Sequence, residues 1–343
     1  MKKKVIAILM LTSLVCGSVM GCGSGKEETA SNGEGASEEP VVLKWQSWDP
    51  ASKYQPIIDA YQEANPNVTI EYEQVSDYET KINTEASGDA LPDILSCKVG
   101  NTQMFAEEGI LDEIDLEALK SDSDYNLDDF WETTMDYASY QGKTYGIPVD
   151  GGNYAWIYNK KMFDQLGIEV PEDGFTWDEF DAVCQQLMDN KETLGIKHAT
   201  LINDYGIKTI LPYMWQNGVE YTNEDETKCN LADPKTVEAV EYIKSLVDAG
   251  YIPPIEKLDE GSFPIVGMLN SGEIAMGRVA LWEALKLEDS ETLDYQVMHA
   301  PYGNDGTKGE VLYINTLGIA STSKNKEAAM EFVKYVTSGE GLR

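Results

Sequence analysis

Hydrophobic and polar positions after residue 40 follow two alternating periods, and this pattern predicts a mixed α/β fold. Residues 41–45 and 68–72 place apolar side chains in a short run or at every second position, as strands do. Between them, apolar residues at positions 54, 57, 58 and 61 recur at helical spacing. Asn65-Pro66-Asn67 ends that helix, because proline cannot continue it. The chain then repeats this order of strand and helix, which is typical of α/β domains.

In the second half of the chain, two predicted helices begin with residues that favour a helix N-terminus. Thr176 and Glu179 have the spacing of a capping box, in which the two residues satisfy each other's backbone N–H groups. Asp233 and Pro234 are a favourable cap and first residue for another helix. The buried stripe of this second helix is predicted to consist of Val237, Val240, Ile243, Leu246 and Val247.

The chain begins with three lysines and a short aliphatic run, a pattern that predicts an export signal. The run, residues 5–15, is shorter than the roughly 20 residues that a membrane-spanning helix needs. Residues 19–22 stand where the lipobox stands in a bacterial lipoprotein signal, which the segment resembles, although Met20 is bulkier than the usual residue. The resemblance implies removal of residues 1–21 and lipid attachment at Cys22. An ordinary secretory peptide is the alternative, and both place the protein outside the cytoplasmic membrane.

The segment that follows the signal differs sharply in composition from the rest of the chain. Residues 22–40 contain no aliphatic side chain larger than alanine and are predicted to form a flexible tether. The remaining roughly 300 residues exceed what one hydrophobic core usually serves, which favours two lobes. The formal net charge is −34. Because so acidic a surface repels nucleic acid, no nucleic-acid partner is expected.

No pattern of a common catalytic or cofactor site is present in the sequence. The two histidines lie in unrelated contexts, and there is no G-x-S-x-G, Walker, H-E-x-x-H or G-x-G-x-x-G motif. Asp122-x-Asp124-x-Asn126 begins like a calcium loop, but Leu127 occupies the position that needs glycine. We therefore predict no enzymatic activity, no metal and no cofactor. With 60 acidic residues, a carboxylate pair of a surface glycoside hydrolase stays open as the alternative.

Seven tryptophans and 19 tyrosines are many for an acidic exported protein, and several lie at the ends of predicted elements. Trp48 follows the first strand, Trp215 ends a helix, and Trp282 follows a late strand. Aromatic rings at such loops can stack on the C–H faces of a sugar, while amides and carboxylates bind its hydroxyls. Core packing is the alternative for each ring.

Short stretches along the chain, taken in order, resemble the solute-binding proteins of carbohydrate ABC importers, the family that includes the maltose-binding type. The resemblance covers nearly all of the chain after residue 40, and the order and spacing of the stretches make it specific. The stretches are LKWQSW at 43–48, EANP at 63–66, SGDALPDI at 87–94, YGIPVD at 145–150, YNKKMF at 158–163, TWDEF at 176–180, WQNG at 215–218, SGEIAM at 271–276, LGIAS at 317–321 and NKEAA at 325–329.

The resemblance implies a two-lobed, type II periplasmic-binding-protein fold of the α/β class, with crossing strands as a hinge beside a ligand cleft. Lobe 1 would comprise residues 41–149 and 301–337, and lobe 2 residues 150–300. The implied function is a monomeric, lipid-anchored receptor that delivers a mono- or oligosaccharide to the permease subunits of an ABC importer. A polyamine, peptide or phosphodiester ligand is the alternative. The sugar contacts of the family fall at Trp48, Lys98, Asp150, Trp215, Trp282 and Asn315.

Two features depart from the family pattern. The family usually has Gly-Pro-Trp after the strand that ends near Met276, whereas Trp282 here follows Val279-Ala280-Leu281. Family members also continue with more helices after the region of residues 337–341, and those helices complete lobe 2. The C-terminal helices of lobe 2 are therefore expected to be missing from this chain.

Overall fold

The structure is a computed structural model. It describes residues 39–343 apart from Asp89, Asp124, residues 203–205, Glu226, residues 255–263, residues 288–293, Glu340 and the last two positions. The predicted signal segment, Cys22 and nearly all of the predicted tether therefore lie outside the described residues.

Strands and helices alternate along the described part of the chain, as the sequence predicts. The strands are β1 (Val41–Ser47), β2 (Val68–Gln74), β3 (Ile94–Cys97), β4 (Ser139–Tyr140), β5 (Lys143–Thr144), β6 (Ile147–Asn159), β7 (His198–Ile202), β8 (Ile274–Ala280), β9 (Tyr295–Met298) and β10 (Leu312–Ile319). The α-helices are α1 (Ala51–Ala64), α2 (Tyr78–Ser87), α3 (Asn101–Glu107), α4 (Leu116–Ser121), α5 (Glu132–Tyr137), α6 (Lys160–Leu166), α7 (Trp177–Asp189), α8 (Lys191–Leu194), α9 (Ile207–Gln216), α10 (Pro234–Asp248), α11 (Ile265–Ser271), α12 (Leu281–Ala284) and α13 (Lys326–Thr337).

One mixed sheet runs through the described chain in the order β2-β1-β3-β10-β6-β8-β7, with β9 paired to β6. The pairs β1–β2, β1–β3 and β7–β8 are parallel, whereas β10 and β6 are antiparallel to their neighbours. The long strand β6 pairs with β10 through its first half and with β8 and β9 through its second half. β6 therefore connects the two halves of the sheet, and β10 accompanies it; we call β6 and β10 the crossing strands.

The apolar side chains form separate cores on the two sides of the crossing strands. On the first side, Trp45 is fully buried and contacts Phe332 of α13 at a ring separation of 5.7 Å. On the second side, Trp156 of β6 packs against Phe180 of α7 at 5.1 Å. Burial of such rings supplies much of the favourable free energy of folding, about 25 cal/mol per Å² of apolar surface. The α/β prediction and the two-lobed type II fold are confirmed.

Two helices test the details of the sequence analysis. The capping box at α7 is confirmed, because Thr176 Oγ1 accepts the Glu179 N–H at 3.3 Å and Glu179 Oε2 accepts the Thr176 N–H at 2.9 Å. The predicted stripe of α10 is wrong in part, since Val237 and Val240 are 45% and 41% exposed. Both faces of this helix carry aliphatic residues, so the spacing alone does not select one. The face that packs inward holds Thr236, Ala239, Ile243 and Leu246.

Candidate functional site

The sequence-predicted site residues all lie at strand ends, on the crossing strands or beside them. Trp48 directly follows β1 and Lys98 directly follows β3, whereas Trp282 lies in α12 directly after β8. Asp150 and Asn315 face each other across β6 and β10, and Trp215 is near the end of α9. The structure brings these residues into three groups, a polar group, a tryptophan–lysine pair and an aromatic cluster.

The polar group joins the start of α1 to the crossing strands. Asn315 donates a hydrogen bond to Asp150 at 2.6 Å, and Lys53 Nζ is 2.6 Å from Asp150 and 2.7 Å from Asp49. Tyr54 donates to Asp49 at 3.0 Å. We call Asp49, Lys53, Asp150 and Asn315 the polar quartet. Sequence analysis found only Asp150 and Asn315, although the i,i+4 spacing of Asp49 and Lys53 directly after Trp48 was a usable signal.

Electrostatics keep Lys53 charged at the centre of the polar quartet. Burial acts to lower the pKa of Lys53, but its hydrogen bond to Asp150 and the charge of that carboxylate raise this pKa well above its ordinary value. A lysine that stays protonated holds both carboxylates in place and leaves their remaining lone pairs available to hydroxyl donors.

Trp48 and Lys98 form a pair at the ends of two neighbouring parallel strands. Lys98 Nζ lies 4.9 Å from the centroid of the Trp48 ring, within the range of a cation–π contact. Glu79 accepts a hydrogen bond from Lys98 at 2.8 Å, and Tyr78 meets the Trp48 ring edge-on at 5.4 Å. Trp48 is half-buried, so part of its surface is open to solvent.

The aromatic cluster has Trp282 at its centre, with two tyrosines that sequence analysis missed. Tyr154 of β6, Tyr313 of β10 and Trp282 have mutual ring separations of 5.7 to 5.9 Å and meet at 62° to 85°. We call these three residues the aromatic triad. Tyr154 and Tyr313 are 5% and 8% exposed, whereas Trp282 is 46% exposed. Edge-to-face packing on two buried rings therefore fixes a half-exposed third ring.

Trp215 is a partly buried neighbour of the aromatic triad. Together with Leu211 and Val99, Trp215 lies against the buried cluster that contains Tyr154 and Tyr313. A Cβ atom placed on Gly309 would come within 2.6 Å of the Trp215 Cβ, so the Trp215 side chain rests directly on backbone. Trp215 is half-buried.

An ion pair between a buried arginine and a half-buried glutamate lies against the aromatic triad. Arg278 of β8 is 1% exposed and binds the Glu310 carboxylate through both Nε, at 3.0 Å, and Nη2. The Arg278 guanidinium carbon lies 3.6 Å from the centroid of the Tyr154 ring. Burial acts to lower the pKa of Arg278, but the hydrogen bonds to Glu310 raise this pKa above its ordinary value.

The polar quartet and the aromatic triad share one face of the crossing strands. Asp150 pairs with Asn315, and Gly152 pairs with Tyr313 two positions along the same face, because side chains alternate along a strand. A Cβ atom on Gly152 would lie 3.8 Å from Cε3 of Trp282, which places the tryptophan over this face. Val99 follows Lys98 and packs against the cluster around Tyr313, so the end of β3 reaches the same region. We call this region the candidate site.

A cavity of about 850 Å³ lies on the opposite face of the crossing strands. Its side-chain lining includes Phe130, Trp131, Leu312 and Ile314, and the C-terminal end of α13 closes one side. Leu312 and Ile314 alternate with Tyr313 and therefore point away from the aromatic triad. Asp150 and Gly152 also line this cavity, so it borders the candidate site, but Trp48, Trp215, Trp282 and Lys53 are not among its lining residues.

The described residues offer no positive sign of a metal site. No group of three or more histidine, cysteine, aspartate or glutamate side chains there is arranged to hold a metal ion. Asp122, in the sequence that begins like a calcium loop, binds Lys334 at 2.5 Å, and Asp124 lies outside the described residues. No helix in the described ranges is both long enough and apolar enough to span a bilayer.

The crossing strands, the two cores and the site between them define a two-lobed binding protein of the type II periplasmic-binding-protein class. The family model of the bacterial extracellular solute-binding proteins matches residues 46–341. The chain belongs to this family. Its members act outside the cytoplasmic membrane, and so does this protein.

Comparison with known proteins agrees with this assignment. The maltotriose-binding protein of Pyrococcus abyssi (strain GE5 / Orsay) is 26% identical over 333 residues, which cover 92% of this chain and 63% of that protein. An ABC substrate-binding protein from Listeria monocytogenes in complex with cycloalternan superposes with a TM-score of 0.76 at 24% identity, covering 87% of this chain and 75% of that one. UgpB from Mycobacterium tuberculosis in complex with glycerophosphocholine superposes with a TM-score of 0.73 at 20% identity, covering 88% of this chain and 76% of that one.

Proposed function

We propose that this protein is an extracytoplasmic receptor that binds a neutral mono- or oligosaccharide and delivers it to the permease of an ABC importer. The observation that carries the proposal is the half-exposed Trp282 ring, fixed by two buried tyrosines on the same strand face as the polar quartet. A stacking surface beside a set of hydroxyl-binding groups is the combination that a sugar requires. The maltotriose and cycloalternan ligands of two relatives support this class of ligand.

The tryptophans and the polar quartet would bind different parts of the sugar. The indole of Trp282 offers an apolar face to the C–H groups of a pyranose ring. Asp49, Asp150 and Asn315 offer oxygen and amide groups for the hydroxyls, and Trp48 with Lys98 extends the site from the end of β1. Trp215 is half-buried and supports the triad by packing against the cluster that contains Tyr154 and Tyr313.

A polyamine or choline-like ligand fits the aromatic triad less well. A cation bound between aromatic rings needs ring faces that point at it. Here the rings meet edge to face at under 6 Å, and two of their faces already carry cations, Arg278 at 3.6 Å from Tyr154 and Lys208 at 5.2 Å from Tyr313. The triad is therefore a packed platform, not a cage.

A phosphodiester is the second candidate ligand, because UgpB, of the same fold, holds glycerophosphocholine. The charges in the candidate site favour a neutral ligand instead. Lys53 is bound by two carboxylates, and Lys98 is bound by Glu79. Since acidic partners neutralise Lys53 and Lys98, neither leaves a free positive charge for a phosphate. Lys208 is a further cation at the site, and its ammonium group lies over the ring of Tyr313.

We propose binding without bond cleavage. Asp49 and Asp150 are the two carboxylates of the polar quartet, and both are ion-paired with the same lysine. The function requires a conformational change and no chemical reaction. Lobe 1 would consist of residues 41–149 and 301–337, and lobe 2 of residues 150–300. The crossing strands β6 and β10 would bend between the two lobes. Binding free energy offsets the cost of closure, and the permease recognises the closed form.

A sugar panel tests this function directly. Neutral mono- and oligosaccharides are screened against the purified protein by thermal shift, and each hit is followed by small-angle scattering and by an assay for sugar cleavage. We expect a saturable rise in melting temperature, a smaller radius of gyration and an unchanged sugar. Glycerophosphocholine and spermidine serve as comparison ligands. Stabilisation by either of these and by no sugar would reject the sugar proposal, whereas cleavage of the sugar would favour a glycoside hydrolase.

We propose further that Cys22 carries a lipid that ties the receptor to the membrane. The residues before Cys22 match a lipoprotein signal, and the polar segment after it would give the two lobes room to move. In cells grown with radiolabelled palmitate, the wild type should be labelled, whereas Cys22→Ser should be unlabelled and either secreted or uncleaved. The matched control is Cys229→Ser, which changes an exposed cysteine of the binding domain and should keep the label. Label that persists in Cys22→Ser would contradict lipid attachment at this residue.

A further inference from the structure

The ion pair of Arg278 and Glu310 spans three strands. Arg278 lies on β8 and Glu310 lies two residues before the start of β10, and these two strands are not neighbours, because β6 lies between them. The pair therefore reaches over β6 and covers Tyr154, which is the residue of β6 in the aromatic triad. Glu310 also accepts the backbone N–H of Val311 at 2.8 Å, which fixes the entry of the chain into β10.

The same ion pair is a poor device for stability. Taking two charges out of water costs several kcal/mol, and apolar residues of similar volume often stabilise a protein equally well or better. Arg278 bears most of this cost, since its Nη1 is buried and has no hydrogen-bond partner among the described residues, whereas the Glu310 side chain stays 19% exposed. Because the Arg278–Glu310 pair adds little stability, we look for its role in the position of the side chains that it contacts.

The geometry in question is that of the stacking surface. Tyr154 has Arg278 against its face, and its ring meets the rings of Trp282 and Tyr313 at 62° and 68°. The guanidinium group therefore limits the positions that the Tyr154 ring can take on one side of the triad. The segment before Glu310 is held as well, because Gln216 donates to the Gly309 carbonyl at 2.9 Å and Gly309 lies against Trp215.

We propose that Arg278 and Glu310 are positioning residues for ligand binding: their ion pair fixes Tyr154 and, through it, the orientation of Trp282. This inference rests on the proposed function, because it takes the ligand to be a sugar that stacks on Trp282. Neither charge contacts the sugar. The pair acts by keeping the half-exposed indole in one orientation before the ligand arrives, so that less conformational entropy is lost on binding.

The first test replaces the pair by apolar residues of similar size. The double variant Arg278→Met with Glu310→Leu should fold, show a weakened near-ultraviolet circular dichroism signal from the aromatic triad without ligand, and bind sugar about tenfold more weakly, which corresponds to ~1.4 kcal/mol. Arg278→Lys keeps the charge but loses the two parallel hydrogen bonds and should fall between the wild type and the double variant. If the double variant does not fold, Arg278→Lys carries the same comparison.

The matched control comes from the same segment of chain. Lys308 pairs with Asp173 at 3.1 Å and lies 5.3 Å from the ring of Tyr302, so it also combines an ion pair with a cation–π contact, but outside the aromatic triad. Lys308→Met with Asp173→Leu should leave the near-ultraviolet signal and the affinity unchanged. An equal loss of affinity in the control would mean that any such pair matters and would overturn the proposal.

A double-mutant cycle separates a positioning role from a general structural one. In a Tyr154→Leu background there is no ring to position, so replacing Arg278 and Glu310 should cost no further affinity. Additive losses of affinity would show that the ion pair acts independently of Tyr154, which contradicts the inference. If the wild type binds no sugar at all, the proposed function fails; the near-ultraviolet comparison of the ligand-free proteins then still decides whether the pair orients the rings.

Discussion

Replacing Trp282 with alanine should weaken sugar binding roughly thirtyfold, or about 2 kcal/mol, while the protein stays folded. Trp282 is the most exposed ring of the aromatic triad, so its loss removes the stacking surface but little of the core. Isothermal calorimetry on the best sugar of the panel measures the change in affinity, and far-ultraviolet circular dichroism checks the fold.

Trp131→Ala is the matched control for the loss of an exposed indole. Trp131 is 73% exposed and lines the cavity on the opposite face of the crossing strands. Its removal should leave the affinity unchanged. A Trp282→Ala variant that binds like the wild type would identify this ring as a packing residue and move the stacking surface elsewhere, with Trp48 as the next candidate.

The three tryptophans show how far the sequence determines the site. Trp48, Trp215 and Trp282 are equivalent at the level of sequence, since each lies near the end of a predicted element. The structure separates them, because Trp282 is held by two tyrosines, Trp48 pairs with Lys98, and Trp215 rests on the backbone at Gly309. Whether an indole packs or stacks depends on residues far away along the chain, which periodicity does not reveal.

The residues missed by sequence analysis have the same explanation. Tyr154 and Tyr313 lie in strand-like segments, where an aromatic residue indicates a core position. They belong to the site because Gly152 pairs with Tyr313 and places β10 beside β6. Strand pairing over such a separation in sequence is set by the whole fold. The local signals were more reliable: the capping box at Thr176 and the α/β alternation are confirmed.

The error in α10 has a local cause. Val237 and Val240 suit a buried stripe as well as the neighbouring residues do, and the helical period fits either face. Thr236 lies on the buried face, where its hydroxyl donates to the Asn230 carbonyl at 2.8 Å. A hydrophobic pattern assigns a polar residue such as threonine to the exposed face, so it predicts the wrong face of this helix as buried.

Gly151→Ala should push the crossing strands apart. A Cβ atom at this position would lie 2.8 Å from the Tyr313 carbonyl oxygen and 2.8 Å from Cδ1 of Ile314. Because the carbonyl belongs to the backbone, β6 and β10 must separate, and overpacking of this kind costs about 1–3 kcal/mol. Asp150 and Asn315 are the adjacent pair, so their 2.6 Å hydrogen bond should lengthen and sugar affinity should fall together with stability.

Gly152→Ala separates this effect from the general cost of replacing a strand glycine. A Cβ atom on Gly152 would meet Leu281 Cβ at 3.7 Å and Trp282 Cε3 at 3.8 Å, which are ordinary contacts. We therefore expect urea unfolding to give a lower free energy of unfolding for Gly151→Ala and a nearly unchanged one for Gly152→Ala. Equal stabilities and equal sugar affinities in the two variants would mean that the crossing strands absorb the extra methyl group. The polar quartet would then not depend on the close approach of β6 and β10, and the hinge would be more compliant than their packing indicates.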